Sequence, residues 1–208
     1  MCTEMFSPKY KCVFIHIPKT AGSSIRHVFK NLNKNERGAA YGFNHQTALA
    51  HYQSNPVLYR ELFSFAFVRN PWDRVVSWYT MPKRGKKSSF PDNQAKLDLS
   101  FPDWVKWMRE HIAGGKLGGR EVLYAPQFDF VADGDGVVIV DKVCRFETLI
   151  AHWQGICTKL GLPGHFPHAA RSKNRLPYRE YYDAKTRQLV AEMYAKDIKQ
   201  FGYTFDGG

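Results

Sequence analysis

Long hydrophobic runs are missing from this 208-residue chain. Runs such as Val13-Phe14-Ile15 and Val137 to Val140 fall far short of the roughly 20 residues a membrane-spanning helix needs. The opening segment, Met1 to Lys11, has no apolar stretch of signal-peptide type, so the chain reads as cytoplasmic. Cysteine is scarce too. Cys2, Cys12, Cys144 and Cys157 are scattered with no CxxC pair, which excludes a disulfide framework and a cysteine metal site and leaves reduced, buried thiols. No internal repeat or low-complexity block appears. Acidic residues are few, 19 against 30 Lys and Arg, for a net charge of +11. What is present is apolar bulk: 44% hydrophobic and 15% aromatic residues exclude global disorder and suit a single domain over residues 1–208. The basic surplus points to nucleic acid, an anionic membrane or a polyanionic ligand, or else to a solvated surface that keeps the chain soluble.

The hydrophobic pattern alternates between strand and helix periods. Tyr10 to Ile17 reads as a buried strand ended by Pro18, and Ile25, Val28, Phe29 and Leu32 then recur at helical spacing. Leu62 to Val68 reads as a second strand. Asn70-Pro71-Trp72-Asp73 then supplies a cap, a first-turn proline and a first-turn acid for a helix to about Tyr79. Ser100 and Asp103 open a helix through His111 that carries Trp104 and Trp107, aromatics that suit either a core or a sugar-stacking face. Asp133-Gly134-Asp135-Gly136 turns into a third strand, Val137 to Val143, and Glu147 to Leu160 is amphipathic. A last helix, capped near Asp183 and ended by Gly202, presents Leu189, Val190, Met193, Tyr194, Ile198 and Phe201 on one face. Strands alternating with helices predict an α/β fold, a three-layer sandwich around a mainly parallel sheet.

Pro18-Lys19-Thr20-Ala21-Gly22-Ser23-Ser24, delivered by a strand onto a helix start, is a natural anion site. Loop and first-turn N–H groups converge, the helix dipole favours negative charge, Gly22 permits close approach, and Lys19 adds full charge. Thr20, Ser23 and Ser24 offer hydroxyls. The nucleotide-triphosphate loop GxxxxGK[ST] is not matched, because Lys19-Thr20 precedes the glycine and no glycine stands at Phe14 or Ile15. A kinase or NTPase is disfavoured on that ground. An ordinary βα turn with a serine cap is the plain alternative. Roughly 50 residues on, Arg69 ends a strand ahead of a second helix, where open α/β sheets bind ligands and a guanidinium grips phosphate bidentately. Ser77 lies about two turns into that helix.

Together, FIHIPKTAGSSI and FAFVRNPWDRVVSWY resemble the paired signature of sulfotransferases that use 3′-phosphoadenosine 5′-phosphosulfate (PAPS), in particular the branch with heparan 2-O-sulfotransferase, other carbohydrate sulfotransferases and short bacterial members. The likeness continues through KVCRFETL (Lys142 to Leu149) and DIKQFGYTF (Asp197 to Phe205), so it covers nearly the whole chain. It implies a P-loop-NTPase-like α/β domain. It also implies that Lys19 contacts the phosphosulfate and stabilises the leaving oxygen, that Thr20, Ala21, Gly22, Ser23 and Ser24 wrap the 5′-phosphate, and that Arg69 and Ser77 hold the 3′-phosphate. No metal is required, since a sulfuryl group carries less negative charge than a phosphoryl group and lysine and backbone dipoles suffice. The product would be adenosine 3′,5′-bisphosphate (PAP).

The acceptor hydroxyl must lose a proton during in-line attack, which suits a histidine. His45 lies between the two motifs where the resembled family carries its catalytic histidine, and is the expected general base. His51 is the alternative base, and His16 reads as a packed residue at the site's edge. His165 and His168 fall in a late basic stretch whose Lys173 and Arg175 are the expected contacts to the 3′-phosphate and adenine, or simply a solvated loop. The Lys83–Lys87 cluster suits an anionic glycan acceptor or plain surface. The resulting expectation is sulfuryl transfer to a hydroxyl of a carbohydrate or small metabolite, with no nucleic acid needed. The alternatives are a P-loop kinase or NTPase and a non-catalytic polyanion or nucleic-acid binder, which would show steep salt dependence.

Overall fold

The computed structural model describes residues 5–32, 45–81, 99–115, 121–162, 164, 166 and 175–207. The chain forms two compact units, each from two stretches of sequence: residues 1–69 with 127–171, and residues 70–126 with 172–208.

The first unit holds the sheet, with strands β1 (Met5–Ser7), β2 (Cys12–Ile15), β3 (Phe63–Val68) and β4 (Lys142–Arg145) side by side in that order. β1 runs antiparallel to β2, whereas β2, β3 and β4 are parallel, with Phe14 opposite Phe65 and Phe67 opposite Cys144. Alternation sends Cys12, Phe14, Phe65, Phe67 and Cys144 to one face. There they pack with Ile25, Val28 and Phe29 of helix α1 (Gly22–Leu32) and with Trp153, Ile156 and Cys157 of a later helix, Leu149–Leu160. The other face carries Val13, Ile15, Ala66 and Val68, all at most 1% exposed. A sheet buried on both faces and flanked by helices is the α/β arrangement the sequence predicts.

The remaining elements of this unit are α2 (Ala48–Ser54), α3 (Pro56–Glu61) and the one-turn α6 (Phe128–Val131); the Leu149–Leu160 helix is α7. Asn55 both ends α2 and caps α3, its side chain accepting from the Leu58 N–H. The three thiols among the described residues, Cys12, Cys144 and Cys157, are buried and unbridged.

The second unit is helical. Asn70 caps α4 (Pro71–Tyr79) by accepting from the Trp72 N–H, with Pro71 at the first helical position as the sequence predicts. α4 packs Trp72, Val75, Val76 and Trp78 against Trp104, Val105 and Met108 of α5 (Phe101–Ala113) and Val190 of α8 (Ala184–Met193). Arg74 is buried within this core. It donates to the Ala125 and Leu123 carbonyls and faces the Tyr194 ring; burial lowers its pKa, while Tyr194 and Asp197 oppose that shift. Trp104 is wholly buried and belongs to the core, while Trp107 stacks on His111.

Four elements differ from expectation. Tyr10 and Lys11 belong to a turn, Lys11 with φ 45°, that joins β2 to the short strand β1, which three residues could not announce. Asp133 does shape a turn, accepting from the Asp135 and Val137 N–H groups, but Val137–Val140 form no strand: Val137 and Val138 stay exposed, and β4 begins at Lys142. Glu147 falls in a 3-10 turn, so the helix begins at Leu149. The last helix is two, α8 and α9 (Ala195–Phe201), divided at the buried Tyr194, although the cap at Asp183, which the structure shows to be a capping box, and the end at Gly202 stand as predicted. The Lys83–Lys87 cluster, His165, His168 and Lys173 lie outside the described residues.

Candidate active site

Parallel strands present their carboxyl ends together, and three of them build the site. β2 runs into a loop in which Lys19 (φ 72°) and Ala21 (φ 73°) occupy the left-handed region. Each costs a non-glycine residue about 1 kcal/mol, and left-handed residues in a loop of this kind are a feature of backbone anion-binding nests. Thr20, fully buried, donates its hydroxyl proton to the Ile17 carbonyl at 2.8 Å. That hydroxyl is held within the loop. The Ser24 and Ile25 N–H groups close onto the Ala21 carbonyl, and α1 starts at Gly22. The earliest N–H groups of a helix have no intrahelical partner and project toward its amino end. Ser23 is exposed and Ser24 buried.

Gly22 has a steric reason. A Cβ at this position would lie 1.7 Å from Nε2 of His16, so only glycine accepts that imidazole. His16 itself is buried beside Phe14, and burial, reinforced by His45 and Arg26, pushes its pKa down to about 3. His45 lies against it, ring centroids 4.4 Å apart, and its Nδ1–H donates to the His16 carbonyl at 3.1 Å. A carbonyl can only accept, so the neutral His45 ring has its lone pair on Nε2. His51, the alternative base, sits on α2 with its ring 6.4 Å from Tyr59.

Arg69 follows β3. Its Nη1 donates to the Lys19 carbonyl at 3.1 Å, and its guanidinium lies over the Phe146 ring, 4.2 Å from the centroid, just beyond β4. Gln127, fully buried, accepts from the Arg69 N–H at 2.8 Å and donates to the Arg69 carbonyl at 2.7 Å. The structure thus brings Lys19, the loop to Ser24, Arg69 and His45 with His16 to the carboxyl ends of the strands. Gln127 and Phe146 escaped the sequence reading. Nothing around Gln127 signals a role, whereas Phe146 lies inside the KVCRFETL segment that had already suggested a shared pattern.

Two expected contacts belong to the helical unit. Ser77 is buried in the second turn of α4. Arg175 is ion-paired with Asp73 in the first turn of the same helix. At the opposite, amino end of β3 and β4 a cavity of about 680 Å³ is lined by Tyr52, Tyr59, Arg60, Asp133, Asp135 and Asp141, among others. There Asp141 accepts from both the N–H and the hydroxyl of Ser64. Among the described residues no helix is long and apolar enough to cross a membrane.

The loop that leads into α1 and the strand-end Arg69 are joined by a hydrogen bond at the carboxyl edge of the sheet. The chain belongs to the sulfotransferase family, whose sequence profile matches residues 4–204, a span that includes stretches of both units. Sulfuryl transfer is therefore its activity class. No curated protein matches the sequence. Among solved structures, the crystal structure of a sulfotransferase from Alicyclobacillus acidocaldarius is similar at 16% identity, covering 93% of this chain and 84% of that one, with a TM-score of 0.46.

Proposed function

We propose that this sulfotransferase uses PAPS as donor and transfers its sulfuryl group to a hydroxyl of a carbohydrate or small metabolite, with His45 as general base. The observation that carries the reading is the bond from Arg69 to the Lys19 carbonyl, which couples the cationic ends of two adjacent parallel strands. The donor set is Lys19, Arg69 and the amides that open α1, which fits a multiply charged nucleotide better than a neutral ligand. When bound, PAPS supplies the sulfuryl group and a bisphosphate leaving group. Lys19 neutralises charge growing on the leaving oxygen, the loop from Thr20 to Ser24 holds the adjoining phosphate through backbone amides, and Arg69 grips the 3′-phosphate. His45 accepts the hydroxyl proton on Nε2 as the new O–S bond forms and the S–O bond to phosphate breaks. The net charge of +11 supports an acceptor that is itself anionic, such as an acidic glycan.

The test is calorimetric binding of PAP with no metal added. Lys19→Ala and Arg69→Ala each weaken it by about 10- to 100-fold, the worth of one charge-assisted contact; unchanged affinity in both overturns the site. Ser77→Ala and Arg175→Ala extend the same measurement to the contacts expected from the resemblance. A screen with labelled PAPS against glycans, small alcohols and phenols identifies the acceptor class, and His45→Ala then loses turnover while it keeps PAP binding.

A further inference from the structure

His16 makes more contact with the candidate base than a packed core histidine needs to. Its carbonyl anchors His45 Nδ1–H at 3.1 Å, and its ring meets the His45 ring at 4.4 Å, tilted by 48°. On another side the same ring presses on Gly22, the first residue of α1, so closely that a single methyl group would overlap it. Behind it lies Phe14, stacked at 5.8 Å and 28°, which backs the imidazole with the sheet core. One buried residue therefore touches both the anion loop and the base.

We infer that His16 is a positioning residue: its flat ring, wedged between Gly22 and His45, sets the orientation of His45 relative to the anion loop and keeps Nε2 as the proton-accepting atom. This rests on the reading of His45 as base. His16 is not a base itself, because burial keeps it neutral down to about pH 3 and a nitrogen so weakly basic takes no proton from a hydroxyl near neutrality. Its neutrality also suits a neighbour that becomes charged in each turnover, since a second imidazolium at this separation would oppose proton uptake. Fixing a ring to within a fraction of an ångström is the kind of support that separates an effective base from one merely nearby.

The test pairs two variants of the full chain. His16→Leu refills the volume without a flat polar group, and His16→Gln supplies a neutral planar group of similar reach. Long-range ¹H–¹⁵N spectra read the tautomer of His45 directly. A free imidazole side chain in water favours Nε2–H, so the Nδ1–H form is a distinctive signature. Wild type shows that form, His16→Leu shifts toward the solvent-like tautomer, and His16→Gln restores the wild-type pattern. PAP affinity stays within about threefold throughout. With the acceptor found in the screen, kcat falls about tenfold or more in His16→Leu at unchanged donor KM and recovers in His16→Gln, the range usual for a residue that orients a reactive group. An unaltered His45 tautomer in His16→Leu overturns the inference, as does a loss of PAP affinity that matches the loss of kcat. Failure of wild type to bind PAP overturns the donor assignment alone, and the spectra still decide the role of His16.

Discussion

At the carboxyl ends of β2 and β3 the chain places Lys19 and Arg69, whereas at the amino ends of β3 and β4 it places Ser64 against Asp141, with Asp133 and Asp135 lining the cavity beside them. The two regions lie at opposite ends of the same strands, separated by the length of β3, six residues or about 20 Å. They use charge differently. Arg69 donates from Nη1 to the Lys19 carbonyl, a neutral acceptor, so this bond orders the guanidinium without itself cancelling its charge. Asp141 gives one carboxylate oxygen to two donors of Ser64, and Ser64 accepts in return from the Asp141 N–H at 2.9 Å, so that carboxylate is built into the fold. Polarity of the parallel strands decides which end serves a ligand. The carboxyl end of β2 leads into α1, whose first amides favour an anion.

The strongest way to break this contrast is to remove both cations. Lys19→Ala with Arg69→Ala should weaken PAP binding by about three orders of magnitude, roughly 4 kcal/mol, if the two contacts act nearly additively. Because Arg69 also holds the Lys19 carbonyl, a smaller combined loss than the sum of the singles would measure that coupling. Titration calorimetry of the two singles and the double closes the cycle.

Next in size is the acid dependence that His16 confers. Its pKa is about 3 in the fold against 6.5 unfolded, so between those values the unfolded chain binds the proton that the folded chain refuses. The stability contribution is complete above about pH 6.5 and is lost as the pH falls toward 3. On the order of 3 kcal/mol is expected after local relaxation. Urea midpoints at pH 7.5 and 4 should fall further apart in wild type than in His16→Gln; equal gaps would show that His16 is solvated. Gly22→Ala ranks third. Its Cβ collides with the His16 imidazole, so a loss of about 1–3 kcal/mol of stability is expected, together with a shift in the His45 tautomer. If Gly22→Ala matches wild type in both, the wedge described for His16 is not tight.

Legibility in the sequence followed the range of the interaction. The turn from β2 into α1, the Asn70 cap and the Asp183 cap are local: residues within four positions decide them, so their patterns appear directly in the text of the chain. Gln127 clamps Arg69 across 58 positions, and His45 reaches His16 across 29. No spacing rule carries such pairs, since they exist only once β2, β3 and β4 lie side by side. Val137–Val140 misled for a related reason. An apolar run promises burial only if a partner is available. Among these residues the structure supplies one isolated bridge, Ala132 to Val138, which leaves Val137 and Val138 in solvent. β1 was illegible because three residues are too short to show a period.

The smallest predicted effects belong to the amino end, and they sharpen the contrast by being confined to stability. Asp141→Asn replaces the carboxylate oxygen that accepts from both Ser64 donors with a neutral amide oxygen, so both bonds lose their charge assistance, and about 1–2 kcal/mol of unfolding free energy should go with it. PAP affinity should not change, because no hydrogen bond in this network touches Lys19 or Arg69. Asp135 lies in the same cavity wall but is exposed, and its backbone N–H, not its carboxylate, makes the turn to Asp133. Asp135→Asn therefore ought to shift stability by less than about 0.5 kcal/mol. What remains is its long-range field on an anion some 20 Å away, which a Debye length of about 8 Å at physiological salt largely screens. PAP titrations at low and physiological ionic strength separate these terms. A small gain in affinity at low salt that vanishes at physiological salt fits two ends that communicate only through screened charge. A gain that persists at high salt would mean that the cavity and the anion loop are mechanically coupled through β3, and the division of labour between the strand ends would fail.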